Sequence, residues 1–109
     1  AEFHCAWAGL DALATLDARL VVNVTSIGMH PKVDASPVPQ QVLKADMAVF
    51  DTVYNPAETL LLEQAKAAGA RTIDGVAMFV NQAMAQFKLF TGQTADPALM
   101  RNVVVDSLA

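Results

Sequence analysis

Short apolar runs alternate along the chain with longer segments whose apolar residues recur every three or four positions. Compact runs bounded by turn formers read as strands, and the longer period reads as helix. Residues 3–7, 20–25, 47–54 and 71–74 are the strand candidates, and the second and third are continuous apolar runs of the kind found in strands covered on both faces. Leu10, Leu13 and Leu16 recur at three-residue spacing, which predicts a helical turn between the first two strands. After Tyr54 the residues Asn55, Pro56 and Glu58 predict a helix start, as cap, first helical position and capping-box partner. Leu61, Leu62, Ala65 and Ala68 then form one apolar face, and Gly69 ends it as a C′ residue. Asp74 is the expected cap of a second helix, whose face Val76, Val80, Ala83, Phe87 and Phe90 runs to Gly92. A last helix begins at Asp96-Pro97 and carries Leu99, Met100, Val103, Val104 and Leu108. Strands alternating with helices predict an α/β fold on a parallel sheet of about four strands, with helices on both faces. The single long irregular piece runs from Gly28 to about Gln40 and holds Pro31, Pro37 and Pro39.

Composition narrows the function. At 109 residues with 54% hydrophobic and 17% charged, the chain is one domain's worth and able to bury a core. A net charge of −4 without any run of Lys or Arg argues against a nucleic-acid partner. The single Cys5 forms no internal disulfide, and the chain opens with no charged-then-apolar leader, so the expected setting is the reducing cytoplasm. No run approaches the ~18 apolar residues of a membrane span, so no membrane partner is expected. The opening Ala-Glu-Phe-His-Cys lacks Met and enters strand-like sequence at once, which suggests a chain cut from something longer.

Polar residues at the carboxyl end of a core strand are where an open α/β sheet presents its ligand groups. Two stretches fit: NVTSIGMHP at 23–31, offering Asn23, Thr25 and Ser26, and FDTVYNP at 50–56, offering Asp51, Thr52, Tyr54 and Asn55. In a third, DGVAMFVNQ at 74–82, Gly75, Met78 and Gln82 share a helical face distinct from the core stripe. A glycine there lets another group approach the backbone closely. Each stretch also has a plain structural reading: Asn, Ser and Thr closing a strand by local hydrogen bonds, and a surface Gln beside a gap-filling Met. Asn23-Val24-Thr25 fits a glycosylation acceptor, a reading opposed by its place at a buried strand end. His4, Cys5 and His30 match no zinc spacing, and no Ser-His-Asp arrangement is visible. No metal site and no catalytic residue is assigned.

Taken in order, NVTSIGM, FDTVYNPAETLLLEQAKAAGA, IDGVAMFVNQAMAQFKLFTG and Pro97 through Arg101 resemble the carboxyl-terminal part of shikimate dehydrogenase, from about Leu20 to Arg101. That family reduces 3-dehydroshikimate to shikimate with NADPH, in aromatic amino acid biosynthesis. The resemblance implies a partial Rossmann-like three-layer fold, with residues 1–109 as the carboxyl-terminal part of the NADP-binding domain. It implies substrate contacts from Tyr54 and Gln82, and a cofactor border formed by Thr25, Ser26, Thr52, Gly75 and Met78. Thr52 departs from the Met or Val usual at its position. The family's catalytic Lys and Asp come from an amino-terminal substrate domain with no counterpart in this sequence, so negligible turnover is expected from this chain alone. Lys32 echoes the catalytic lysine motif, but its spacing from Thr25 is too long, and it is assigned to the loop surface. The glycines at 9, 28, 69, 75 and 92 stand too far apart for a Gly-x-Gly-x-x-Gly phosphate turn. A quinate/shikimate dehydrogenase using NAD and a non-catalytic module of the same fold stand as alternatives. In the strand order of such folds, the strand at 3–7 has no neighbour and the strand at 20–25 exposes an apolar edge, so the chain is expected either to self-associate through that edge or to move its first strand to cover it.

Overall fold

Val, Ile and Phe favour pleated, half-buried backbone, and three short runs containing them form the sheet. The computed structural model describes residues 4–108. In it β1 (Leu20–Asn23), β2 (Ala48–Asp51) and β3 (Arg71–Ile73) lie parallel in the order β1-β2-β3. Leu20 stands opposite Ala48 and Asn23 opposite Asp51, while Phe50 stands opposite Ile73. Because side chains alternate along a strand, Val21, Asn23, Val49, Asp51 and Thr72 share one face, and Leu20, Val22, Phe50 and Ile73 share the other. The two faces fare differently. Val49 is fully buried, whereas Leu20, Val22 and Ile73 remain 59%, 42% and 45% exposed.

Among the described residues the sheet has three strands, and 4–7 of the expected strand at 3–7 are not among them. Phe3 lies outside the described residues, and 4–7 form no regular element, with Trp7 93% exposed. An isolated apolar run gains nothing as a strand unless another strand accepts its backbone hydrogen bonds. The other strands are shorter than their apolar runs because side chains take over at their ends. At β1 the Asn23 Oδ1 accepts from the Thr25 amide at 3.0 Å, and at β2 the Asp51 Oδ1 accepts from the Val53 amide at 3.0 Å.

Three α-helices follow: α1 (Leu60–Ala67), α2 (Gly75–Thr91) and α3 (Pro97–Leu108). The start of α1 corrects the expectation at Asn55. Thr59 is the cap, its hydroxyl accepting from the Leu62 amide at 3.3 Å and donating to Asp51 Oδ2 at 2.7 Å. That second bond satisfies a buried carboxylate, an advantage Asn55 does not offer. Leu61, Leu62 and Ala65 are buried as the periodicity required, and Gly69 follows the helix at φ 83°. Asp74 caps α2, its Oδ1 accepting from the Ala77 amide at 2.7 Å, and Gly92 ends it at φ 69°. Val76 and Val80 are buried, but Phe90 at the end of the expected stripe is 84% exposed. The last turns of α2 run past the body that covers its first turns. Asp96 caps α3, Oδ1 accepting from the Ala98 and Leu99 amides at 2.9 and 3.3 Å.

The core lies on the α1 side of the sheet. Leu61, Leu62 and Ala65 meet Val49, Met47, Leu43 and Val38 there, so the proline-rich loop contributes a core residue. Leu13 packs against this cluster from the 3₁₀ turn Leu10–Thr15, in keeping with the three-residue leucine spacing.

Asp74 also joins α2 to α3, through Arg101 Nη2 at 2.8 Å and Nη1 at 3.3 Å. The hydrogen bond from Arg101 is the main cause holding the Asp74 carboxyl below its ordinary pKa, with the Ala77 amide adding to it and partial burial opposing it. A carboxylate whose folded pKa is depressed adds stability above its unfolded pKa of about 3.9 and loses it as pH falls through the folded value. Asp74→Asn keeps an acceptor for Ala77 and loses the charge. It is expected to lower stability by about 0.5–1 kcal/mol at pH 7, with the difference lost from pH 7 into acid as pH falls through the lowered folded pKa. Urea titrations of both proteins across that range check this, and a difference that persists in acid would assign the effect to something other than the charge.

Candidate functional site

Parallel strands deliver their carboxyl ends to one edge, so the segments after β1 and β2 emerge side by side. Between them lies a cleft of about 380 Å³ lined by Thr25, Ser26, Met29 and His30 from one segment and Thr52, Val53, Tyr54 and Asn55 from the other. The two walls are tied together. The His30 amide donates to the Asn55 carbonyl at 2.8 Å, and the Thr52 amide donates to the Asn23 carbonyl at 3.0 Å.

Beneath the cleft sits a polar cluster in which Asn23 and Asp51 pair across the strands, a contact that sequence spacing does not reveal. Asn23 and Asp51 are 3% and 0% exposed. Asn23 Nδ2 donates to Asp51 Oδ1 at 3.0 Å and to the Ile27 carbonyl at 3.2 Å. Its Oδ1 accepts from the Thr25 amide at 3.0 Å and the Thr25 hydroxyl at 2.7 Å. Asp51 accepts from Asn23, Val53 and Thr59, so both oxygens are satisfied by neutral donors. The available signal was an Asp closing an apolar strand, directly across the register from an Asn closing its neighbour. With Asn23 buried, the acceptor sequence Asn23-Val24-Thr25 serves turn closure.

Four of the expected site residues, Thr25, Ser26, Thr52 and Tyr54, meet in this cleft. Gly75, Met78 and Gln82 do not line it. Gly75 is buried where α2 begins: a Cβ there would lie 2.6 Å from the Val53 carbonyl carbon and 2.7 Å from the Thr52 oxygen, and closer still to the Val53 oxygen. The close approach the glycine allows is that of the β2 end itself. Tyr54 is 41% exposed and its ring meets that of Phe79, centroids 5.1 Å apart and planes tilted by 37°. Phe79 follows Gly75 by four residues and precedes Gln82 by three, so Tyr54 touches the helix face that carries both. Gln82 is exposed and Met78 half-buried. Lys32 is exposed on the loop, as expected. A second hollow of about 260 Å³ lies beside the Asp74–Arg101 and Glu58–Lys66 pairs. Among the described residues no group of three or more His, Cys, Asp or Glu is placed to hold a metal ion. No helix among them is long and apolar enough to cross a membrane.

The family model for the shikimate 5'-dehydrogenase C-terminal domain matches residues 75–105. Over 102 residues the chain is 46% identical to the shikimate dehydrogenase (NADP(+)) of Methanosarcina barkeri, covering 92% of this chain and 36% of that protein. The chain belongs to the shikimate dehydrogenase family. A family structure from Thermus thermophilus, in complex with NADP(H) and shikimate, superposes with a TM-score of 0.80 at 34% identity, over 93% of this chain and 38% of that one. The quinate dehydrogenase of Corynebacterium glutamicum in complex with NAD gives 0.79 at 39% identity, over 89% and 33%. The family's Rossmann-like architecture accounts for the parallel order and the cleft at the strand ends. The chain spans about a third of the length of the shikimate dehydrogenases it matches.

Proposed function

We propose that this chain is the carboxyl-terminal part of the NADP-binding domain of a shikimate dehydrogenase, the NADP-dependent oxidoreductase that interconverts 3-dehydroshikimate and shikimate. The observation that carries this reading is the convergence of Thr25, Ser26, Thr52 and Tyr54 on one cleft at the carboxyl ends of parallel strands. A volume of about 380 Å³ suits one ring of a dinucleotide and not the whole molecule. The residues present therefore fit the nicotinamide end, and the sequence holds no glycine-rich turn for the pyrophosphate.

When bound, NADP(H) supplies or takes the hydride. Thr25, Ser26 and Thr52 would border its reactive end from the two walls, with Gly75 and Met78 behind them, where the start of α2 seats against Thr52 and Val53. Tyr54, braced on Phe79, holds a ring hydroxyl of the substrate, and Gln82 one turn further along α2 holds another. The contribution of these residues is orientation. No residue of the chain is assigned the proton transfer, so the chain alone is expected to show negligible turnover.

Titration of ¹⁵N-labelled chain with NADP+ and then shikimate tests the reading. NADP+ is expected to shift the amides of Thr25, Ser26, Thr52, Gly75 and Met78, and shikimate those of Tyr54 and Gln82. Tyr54→Phe is expected to weaken shikimate binding by about fivefold, the worth of one hydrogen bond. Millimolar NADP+ that leaves the cleft amides unmoved would overturn the assignment. An equal response to NAD and quinate would favour the quinate dehydrogenase reading.

Self-association is the second part of the proposal. Among the described residues the outer edge of β1 is unpaired, and Leu20, Val22 and Val24 beside it are exposed. Sedimentation over a concentration series is expected to show dimers or larger species. A monomer throughout would remove this part and leave the cleft assignment standing.

A further inference from the structure

We infer that Asn23 fixes the hydrogen-bonding polarity of Thr25 and Thr52, through a side chain that Asp51 helps to hold and through its main-chain oxygen, so that the two threonines present acceptors only and select a ligand group that donates. This rests on the reading of the cleft as the nicotinamide pocket and adds to it which atoms of the ring's substituent the two threonines recognise.

The orientation of each group follows from its partner. Asn23 Nδ2 faces Asp51 Oδ1 at 3.0 Å and the Ile27 carbonyl at 3.2 Å, and a carbonyl accepts without donating. Asn23 Oδ1 faces the Thr25 amide at 3.0 Å, which donates without accepting. The carboxamide of Asn23 is thereby held in one of its two flip states. Its Oδ1 takes the Thr25 hydroxyl hydrogen at 2.7 Å, and the same Thr25 oxygen accepts from the Ile27 amide at 3.1 Å. The Asn23 main-chain oxygen, again an acceptor, takes the Thr52 hydroxyl hydrogen at 2.8 Å. Both hydroxyl hydrogens are spent inside the protein. One lone pair remains on Thr25 Oγ1 and two on Thr52 Oγ1. Asp51 is a positioning residue: it lines no part of the cleft, and with the Ile27 carbonyl and the Thr25 amide it holds the Asn23 orientation on which the Thr25 contact depends.

The two threonine oxygens pair with N–H or O–H donors and leave a bare carbonyl unmatched. The primary amide of nicotinamide carries two such hydrogens. The corresponding methyl ketone, 3-acetylpyridine, is neutral and close in shape but carries none, so the pair isolates the donor from the effect of charge.

The test is titration of the ¹⁵N-labelled chain with nicotinamide and with 3-acetylpyridine, read at the Thr25 and Thr52 amides. Nicotinamide is expected to bind about fivefold more tightly, the net worth of one hydrogen bond. Thr52→Val removes one acceptor while its amide can still donate to the Asn23 carbonyl, and it is expected to bring the ratio toward one. Asp51→Asn can keep an oxygen toward Asn23 and is expected to retain the preference, whereas Asp51→Leu frees the Asn23 amide and is expected to reduce it. Should Asp51→Leu fail to fold, the wild-type and Thr52→Val ratios still decide the matter. Equal binding of the two ligands by the wild-type chain, or an unchanged ratio in Thr52→Val, overturns the inference. If NADP+ still shifts the cleft amides in that case, the functional reading survives. If neither NADP+ nor the two small ligands register at the cleft, both are rejected.

Discussion

Gly75→Ala is expected to destabilise the chain by about 3 kcal/mol, seen as a fall of roughly 1–2 M in the urea midpoint. The added methyl would stand 2.6 Å from the Val53 carbonyl carbon and 2.7 Å from the Thr52 oxygen. These are backbone atoms, so no side-chain rotation relieves the overlap, and either the start of α2 or the end of β2 must move. The segment after β2 lines the cleft, so the variant is also expected to lose the response of Thr52 and Tyr54 to ligand even where it remains folded. An unchanged midpoint would mean that the α2 start is not seated against β2 as described. Gly92→Ala is the natural comparison, because no atom lies within 4 Å of its Cβ position. It carries only the backbone penalty of a residue at φ 69°.

Leu61→Ala is expected to cost about 2–5 kcal/mol. Leu61 is 1% exposed in the cluster with Val49, Met47 and Leu43, and shortening it leaves a void between α1 and the sheet. Phe90→Ala removes a larger side chain from an exposed position and is expected to change stability by no more than about 0.5 kcal/mol. Urea unfolding of the two variants side by side checks the contrast, and comparable losses would place the core elsewhere.

That contrast marks where the sequence could be read and where it could not. Asp74, Gly69 and Gly92 were legible because capping and chain reversal are decided within a few residues. The stripe from Val76 to Phe90 was legible as helix but not as a burial pattern, since burial depends on how far the neighbouring body extends. The α1 start was misplaced to Asn55 because the choice of Thr59 is made by Asp51, eight residues back and beneath the cleft. That the run at 3–7 would lack a neighbour followed from the family's strand order and not from its own residues, and 4–7 form no regular element. Thr25, Ser26, Thr52 and Tyr54 were found by a positional rule, polar residues at strand ends, and they do come together. The same rule takes in Asn23 and Asp51 but not their pairing, because they face each other across strands separated by an irregular loop.

The length of α2 has a mechanical consequence. At about 1.5 Å per residue its seventeen residues span roughly 25 Å, while burial is confined to Gly75, Val76 and Val80 near one end. Gln82 sits about 10 Å along this arm, so a pivot of around 5° at the base would sweep its side chain through about 1 Å. A displacement of that size is enough to cost an enzyme two orders of magnitude in rate. The missing Cβ at the foot of the helix thus sets the aim of a carboxamide it never touches.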